Sequence, residues 1–122
     1  MKILNLTGSE LTPEQELGGA VALSEECQRN RIGDLVAFEE PPSRAVLLWR
    51  AAEIVRLLRE WKYIPVVAAA LIGGPPYFTP YLAAALRRQG LTPLHAFRPV
   101  REGQKAAFVE APSQYDVSFS RH

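Results

Sequence analysis

Two loop segments of this sequence contain the residue types that suit a phosphate or nucleotide ligand. The first, TGS at residues 7–9, follows a short apolar run, and the second, GGPPYF at residues 73–78, follows a longer one. Glycines let the backbone approach a ligand closely, and a loop that leads into a helix presents unpaired N–H groups to an anion. We call these segments the TGS loop and the GGPPYF loop. The alternative is that both only turn the chain, with the aromatic side chains covering the end of a sheet.

A further group of candidate residues lies in the basic segment at residues 94–101. His95 and Arg101 are separated by an even number of residues and therefore share one face of a regular strand, whereas Arg98 faces the other way. Arginine binds phosphate through its planar fork of donors, and histidine can polarise or exchange a proton with a ribose hydroxyl. The alternative is a solvated basic strand that carries a partly buried histidine.

The motifs of several common enzyme classes do not occur in the sequence. It contains no GxGxxG or GxxxxGK[ST] pattern, which argues against a dinucleotide-binding dehydrogenase and a P-loop enzyme. The order of residues leaves a Ser-His-Asp arrangement open, but no GxSxG motif supports one. The histidines are His95 and His122, so no paired-histidine metal site is expected, and we predict no metal and no cofactor. The single cysteine, Cys27, excludes an intrachain disulfide.

Composition indicates one soluble domain that spans residues 1–122. The chain is 48% hydrophobic and 22% charged, which is typical of a globular protein. Its formal net charge of +1 argues against a protein that coats duplex nucleic acid, although the half after Glu60 is more basic. The N-terminal apolar run is too short for a signal peptide or a membrane span, so we expect a cytoplasmic protein with no membrane partner.

Periodicity and capping signals predict an α/β fold with a mostly parallel central sheet and helices on both of its faces. Thr12-Pro13-Glu14-Gln15 forms a capping box, Ser43 is a second cap, and Thr79-Pro80 repeats the signal of a cap followed by proline. The predicted helices cover residues 12–30, 43–62 and 81–89. The predicted strands cover residues 3–6, 34–40, 64–72, 94–100 and 106–110. The last two strands form a C-terminal β-hairpin with its turn at residues 102–103, and residues 116–122 form an edge strand or an ordered tail.

These segments together resemble a known family. The first strand with the TGS loop, LTPEQ at residues 11–15, the glycine loop after a buried strand, and RQGLTPLHAFRPVRE at residues 88–102 are similar to small stand-alone CRISPR-associated proteins. Those proteins have a CARF-like, Rossmann-type fold and belong to the ring-nuclease group of type III systems. The resemblance covers most of the chain in order and length.

The resemblance implies a homodimer that binds cyclic oligoadenylate, in particular the four-membered ring, across its interface. Such proteins cleave the ring without metal, give linear products with a 2',3'-cyclic phosphate, and so switch off antiviral signalling. Two alternatives stay open: a dimer that sequesters the ring without cutting it, and a protein-interaction domain without a nucleotide ligand. The expected catalytic residues are Arg98, His95 and Ser9. The expected ligand-binding residues are Thr7, Gly8, Ser9, Gly73, Gly74, Tyr77, Phe78, Thr79, Arg98 and Arg101.

Overall fold

A five-stranded sheet organises the computed structural model, which describes residues 2–97 and 107–112. The strands stand in the order β2-β1-β3-β4-β5, and all neighbours are parallel except β4 and β5, which are antiparallel. The strands are β1 (Ile3–Leu6), β2 (Ala20–Val21), β3 (Ala69–Ile72), β4 (Thr92–Phe97) and β5 (Ala107–Glu110). The helices are α1 (Pro13–Leu17), α2 (Glu26–Val36), α3 (Arg44–Glu60) and α4 (Thr79–Arg88).

Both faces of the central strands are covered, which explains their continuous apolar sequences. All residues of β1 and β3 are buried, as is usual for parallel strands packed on both sides. On one face, Leu4, Leu6 and Ile72 pack in the main core with buried residues of α2, α3 and α4. On the other face, Ile3 and Leu71 form a smaller cluster. Three helices therefore lie on one face of the sheet.

The second face is covered by the short segment that contains α1. Thr12 caps this helix, because its hydroxyl accepts from Gln15 N at 3.2 Å while Gln15 Oε1 accepts from Thr12 N at 3.0 Å. None of the residues in α1 is buried. Leu11, just before it, packs on the smaller cluster, and a Cβ at Gly18 would lie 2.8 Å from the Phe108 ring. The prediction of helices on both faces thus corresponds to three helices on one face and α1 beside the other.

The connections out of β1 and β3 leave the sheet on opposite faces. The chain passes from β1 to α1 on the second face, and from β3 to α4 on the face of the main core. Because β1 and β3 are neighbours, their carboxyl ends form the topological switch point of the sheet. The order 2-1-3-4-5 is a common one among doubly wound α/β sheets, and ligands bind at the switch point in such folds.

The predicted helix at residues 12–30 is wrong in its middle. It is divided into α1 and α2 with β2 between them. Gly18-Gly19 ends α1, since Gly19 adopts a φ of +103° that side-chain-bearing residues rarely adopt. The carbonyl of Gly19 then accepts from Ile3 N at 2.9 Å, which starts the pairing of β2 with β1.

The predicted strand at residues 34–40 is also wrong, because α2 continues to Val36 and the residues after it are not a strand. Ile32, Leu35 and Val36 are buried in the main core at helical spacing. Apolar Leu35 and Val36 suggested a strand because a short apolar run does not distinguish a strand from the buried end of a helix. The strand predicted at residues 64–72 is confined to β3, with turns before it.

Other predicted elements agree with the structure. Ser43 caps α3 by accepting from Val46 N at 3.3 Å. Helix α4 begins at Thr79, although Phe78 rather than Thr79 occupies the N-cap position and no side chain caps the helix. Strands β4 and β5 pair as expected, whereas the predicted turn at residues 102–103 and the tail at 116–122 lie outside the described residues. None of the helices in the described ranges is long and apolar enough to cross a membrane.

Candidate functional site

The TGS loop and the GGPPYF loop meet at the switch point between β1 and β3. Leu6 pairs with Ile72 at the ends of these strands, so the next residues, Thr7 and Gly73, lie side by side. A Cβ placed on Gly73 would lie 3.0 Å from both Cα and Cβ of Thr7. The absence of a side chain at residue 73 is therefore what lets the two loops touch. We call this place the switch-point site.

Asn5, which the sequence analysis did not select, holds the TGS loop in shape. Its side chain is only 8% exposed. Its Oδ1 atom accepts from Thr7 N at 3.0 Å and from Thr7 Oγ1 at 2.7 Å, and its Nδ2 atom donates to Ser9 O at 2.8 Å. The only sequence signal for this role was a polar residue inside an apolar strand, followed by small polar residues that an Asx turn favours.

These hydrogen bonds decide which groups of the TGS loop remain free for a ligand. The Thr7 hydroxyl donates to Asn5 and accepts from Ser9 N at 3.1 Å. Among the described residues, neither the Gly8 N–H nor the Ser9 hydroxyl makes a hydrogen bond, and both residues are exposed. Gly8 and Ser9 are thus the donors that this loop offers to a phosphate, whereas Thr7 serves the loop itself.

The backbone N–H groups at the start of α4 are paired with carbonyls of the GGPPYF loop. Pro75 O accepts from Phe78 N at 2.9 Å and from Thr79 N at 3.1 Å, and Phe78 O accepts from Leu82 N at 3.3 Å. The two prolines carry no N–H. The start of α4 therefore lacks the free donors that a phosphate site at a helix N-terminus needs, so the expected ligand contact of Thr79 does not involve its backbone N–H.

The two aromatic residues of the GGPPYF loop have different environments. Phe78 is fully buried and packs in the core against Phe38, with ring centroids 5.3 Å apart. The expected contact of Phe78 with a ligand is therefore not available. Tyr77 is 48% exposed, and its ring forms an edge-type pair with the ring of Phe38, with centroids 5.6 Å apart. Tyr77 is the aromatic side chain of this loop on which a base can stack.

Phe38 is itself held by Arg50 of α3, a contact that the sequence did not predict. The Arg50 guanidinium lies 4.2 Å from the centre of the Phe38 ring. It also donates to the backbone carbonyls at the end of α2, those of Asp34 and Leu35 at 3.3 Å and that of Ala37. Arg50 thus caps the end of α2 and supports the ring on which Tyr77 rests.

The basic segment is described only in part. His95 lies on β4, pairs with Val109 of β5 and is half-buried. Because β3 stands between β4 and β1, two strand spacings of roughly 4.8 Å separate His95 from the β1 end. The His95 side chain makes no hydrogen bond to another described residue. The other two predicted phosphate contacts, Arg98 and Arg101, lie outside the described residues.

An open cleft of about 770 Å³ adjoins the TGS loop on the side of β2. Its wall includes Gly8 and Ser9, which the sequence analysis selected, together with Asn5 and further residues that it did not select. These are Glu10, Leu11, Glu16, Ala20, Val21, Ala22, Leu23, Glu26, Arg29, Asn30 and Ile32. We call it the β2 cleft. The sequence did not predict that residues of α2 and β2 share a cleft, because the segment that contains β2 was predicted to be part of a helix at residues 12–30.

Among the described residues, the ionisable groups with a shifted pKa lie on α3, away from the switch-point site and the β2 cleft. Arg56 donates hydrogen bonds to Glu53 at 2.6 and 3.1 Å, and Arg31 of α2 donates a further one at 3.3 Å. These bonds, chiefly those from Arg56, hold the pKa of Glu53 below its usual value. The bridge from Arg31 to Glu53 connects α2 to α3, which is a structural role.

The described part of the chain contains no cluster of three or more histidine, cysteine or acidic side chains arranged to hold a metal ion. Cys27 is exposed.

Comparison with protein-family models, with curated proteins and with solved structures found no match to this chain. The fold and the site therefore define the protein only as a doubly wound α/β domain with two glycine-containing loops in contact at its switch point.

The role of Asn5 can be tested by replacing it with alanine. We expect the free energy of unfolding to fall by about 1–3 kcal/mol, because partly buried groups of Thr7 and Ser9 lose their partners. Urea denaturation followed by circular dichroism measures this change. Ser9→Ala is the matched control, since its hydroxyl has no described partner, and it should change stability by less than about 0.5 kcal/mol. Equal effects of the two substitutions would contradict the role of Asn5.

Proposed function

We propose that this chain is a CARF-like ring nuclease of type III CRISPR systems. In this proposal it acts in the cytoplasm as a homodimer, binds cyclic oligoadenylate and cleaves it without metal, which switches off the signal. The observation that carries the proposal is the contact of the TGS loop with Gly73 at the switch point of the sheet. Doubly wound folds bind nucleotides at this position, and the sequence resemblance points to the same ligand.

Each part of the ligand has a candidate partner at the switch-point site. The Gly8 N–H and the Ser9 hydroxyl are exposed donors that suit a phosphate oxygen. Tyr77 offers a ring for adenine, while Gly73 lets the GGPPYF loop lie against Thr7 and Gly74 is exposed beside it. Arg98 and Arg101 would add positive charge from the segment after β4. A two-fold dimer would present each group twice to a symmetric ring.

The reaction in this proposal is an internal displacement. The 2'-hydroxyl oxygen of one ribose attacks the adjacent phosphorus, the bond from phosphorus to the 5'-oxygen breaks, and a 2',3'-cyclic phosphate results. The proton of the 2'-hydroxyl is lost and the 5'-oxygen gains one. Holding the hydroxyl in line with the leaving oxygen and stabilising the developing charge are the tasks of the protein, and we assign them to Ser9 and Arg98.

A protein that sequesters the ring without cutting it is the second candidate, and the position of His95 favours it. This side chain lies two strands away from the TGS loop, and the Thr7 hydroxyl already donates to Asn5. Neither His95 nor Thr7 therefore supplies a free base beside the Ser9 hydroxyl. Cleavage would then depend on positioning alone, and binding without turnover becomes the simpler activity.

Incubation with cyclic tetra-adenylate, followed by separation of the products and a calorimetric binding measurement, tests these functions. Linear products with a 2',3'-cyclic phosphate are expected for the ring nuclease. Tight binding with an intact ring would favour sequestration. No binding would exclude both and leave a protein-interaction domain as the remaining candidate.

Arginine variants test the basic segment in the same assay. Arg98→Ala and Arg101→Ala are each expected to weaken binding or slow cleavage, because each removes a cation from the phosphates. Arg88→Ala, at the exposed end of α4, is the matched control and should leave both unchanged. Unchanged binding and cleavage in both test variants would show that the basic segment is not part of the site.

A further inference from the structure

The β2 cleft has the size and position of a small-molecule pocket beside the switch-point site. Its volume of about 770 Å³ lies within the usual range of roughly 300–1,000 Å³ for ligand sites. Half-buried Leu11 and Val21 and exposed Ala22 provide accessible apolar surface in its wall. Gly8 and Ser9 line the cleft and also carry the free donors of the TGS loop. A ligand that places a phosphate on these donors therefore extends directly into the cleft.

The charges around the β2 cleft argue against a phosphate inside it. Three of its lining residues are glutamates, Glu10, Glu16 and Glu26, whereas Arg29 is the one basic residue in the wall. The Arg29 guanidinium already donates to the carbonyl of Leu23 at 2.7 Å. Carboxylates repel a phosphate but accept hydrogen bonds from hydroxyl and amino groups. The cleft thus suits an uncharged group that is rich in donors.

We infer that the β2 cleft binds the adenine and ribose of one nucleotide of the ligand, while the attached phosphate lies on the TGS loop. The inference rests on the function proposed above and divides the ligand between two adjoining surfaces. The apolar wall receives the base, and the carboxylate of Glu26 accepts from the ribose hydroxyls. The side-chain amide of Asn30, on the exposed face of α2, has the donor and acceptor pair that matches the edge of adenine.

Filling the β2 cleft with a bulky side chain tests this inference. Ala22 lines the cleft and is exposed, so Ala22→Trp adds volume there without removing a core contact. We expect affinity for cyclic tetra-adenylate to fall by at least about tenfold, because a clash built into a pocket opposes its occupant directly. Weak binding of free adenosine, measured by calorimetry or ligand-observed magnetic resonance, should be lost in the same variant.

A bulk-matched control separates filling of the cleft from a general effect of tryptophan. Val66 is 78% exposed and precedes the amino end of β3, whereas the TGS loop beside the cleft follows the carboxyl end of β1. Val66→Trp should bind both probes as the unchanged protein does. Circular dichroism and the melting temperature of each variant establish that the fold is intact before affinities are compared.

A charge variant distinguishes a nucleoside from a phosphate as occupant. Glu26→Gln removes one negative charge but keeps an oxygen acceptor. With a nucleoside in the cleft, affinity for cyclic tetra-adenylate should stay the same or fall, by no more than the roughly 10- to 150-fold that one hydrogen bond to a charged group contributes. An increase in affinity would show that a phosphate occupies the cleft, and would overturn the inference.

The outcomes for the cleft and for the proposed function are distinguishable. If cyclic tetra-adenylate binds the unchanged protein and Ala22→Trp equally well, the cleft inference fails and the proposed function stands. If adenosine binds in a way that Ala22→Trp abolishes while the cyclic ligand does not bind, the pocket stands and the proposed function fails. Binding of neither probe to the unchanged protein overturns both.

Discussion

Replacing Phe78 with alanine is expected to lower the free energy of unfolding by about 3–5 kcal/mol, the usual cost of removing a buried phenylalanine. Its side chain is fully buried in the main core and packs on Phe38. A cavity at this position would lie where the GGPPYF loop meets α4. Denaturation in urea, with the slope and the midpoint both fitted, measures the effect.

Tyr77→Ala is the control for Phe78→Ala, because the two residues are adjacent but differ in burial. Tyr77 is 48% exposed and touches Phe38 only by the edge of its ring. We expect a loss of stability below about 1 kcal/mol, since an exposed ring contributes little to the core. Under the proposed function, its affinity for cyclic tetra-adenylate should fall, since stacking of a base contributes about 1–3 kcal/mol. A greater loss of stability in Tyr77→Ala than in Phe78→Ala would contradict this division of roles.

Gly73→Ala is expected to lower the free energy of unfolding by about 1–3 kcal/mol, the usual cost of an overpacked contact. The new Cβ would lie 3.0 Å from backbone and side-chain atoms of Thr7, so Thr7 must move away by a few tenths of an ångström. The substitution should also shift the amide resonances of the TGS loop and weaken binding of cyclic tetra-adenylate. Denaturation and two-dimensional magnetic resonance measure these changes.

Gly33→Ala is the matched control, and we expect it to have the opposite sign. Gly33 lies inside α2, and no atom would come within 4 Å of a Cβ added there. Alanine should stabilise the helix by roughly 0.5–1 kcal/mol, because glycine loses more conformational freedom on folding. If both alanines destabilised the protein equally, close contact at Gly73 would not be the cause.

Local signals in the sequence predicted several elements correctly. The Thr12 capping box and the Ser43 cap both form as expected. The run of buried residues in α3 follows the predicted helical spacing. These features depend on residues within one or two turns of each other, so the chain near them contains all the information that they need.

Short apolar segments were predicted less well. Residues 34–36 belong to α2 instead of a strand, and β2 lies inside a segment predicted as helix. Strand β2 has only two residues and exists because Ala20 and Val21 pair with Ile3 and Leu4. Whether such a short segment forms a strand depends on a pairing partner that is distant in the sequence, and local propensity does not contain that information.

The sequence by itself determined the α/β class, the helix starts, and the position of the TGS and GGPPYF loops after apolar strands. Only the tertiary structure placed Thr7 against Gly73, buried Phe78 while exposing Tyr77, and joined Asn5, β2 and α2 around one cleft. The reason is physical. Capping and periodicity act between neighbours in the chain, whereas strand order and side-chain burial arise when distant segments exclude water together.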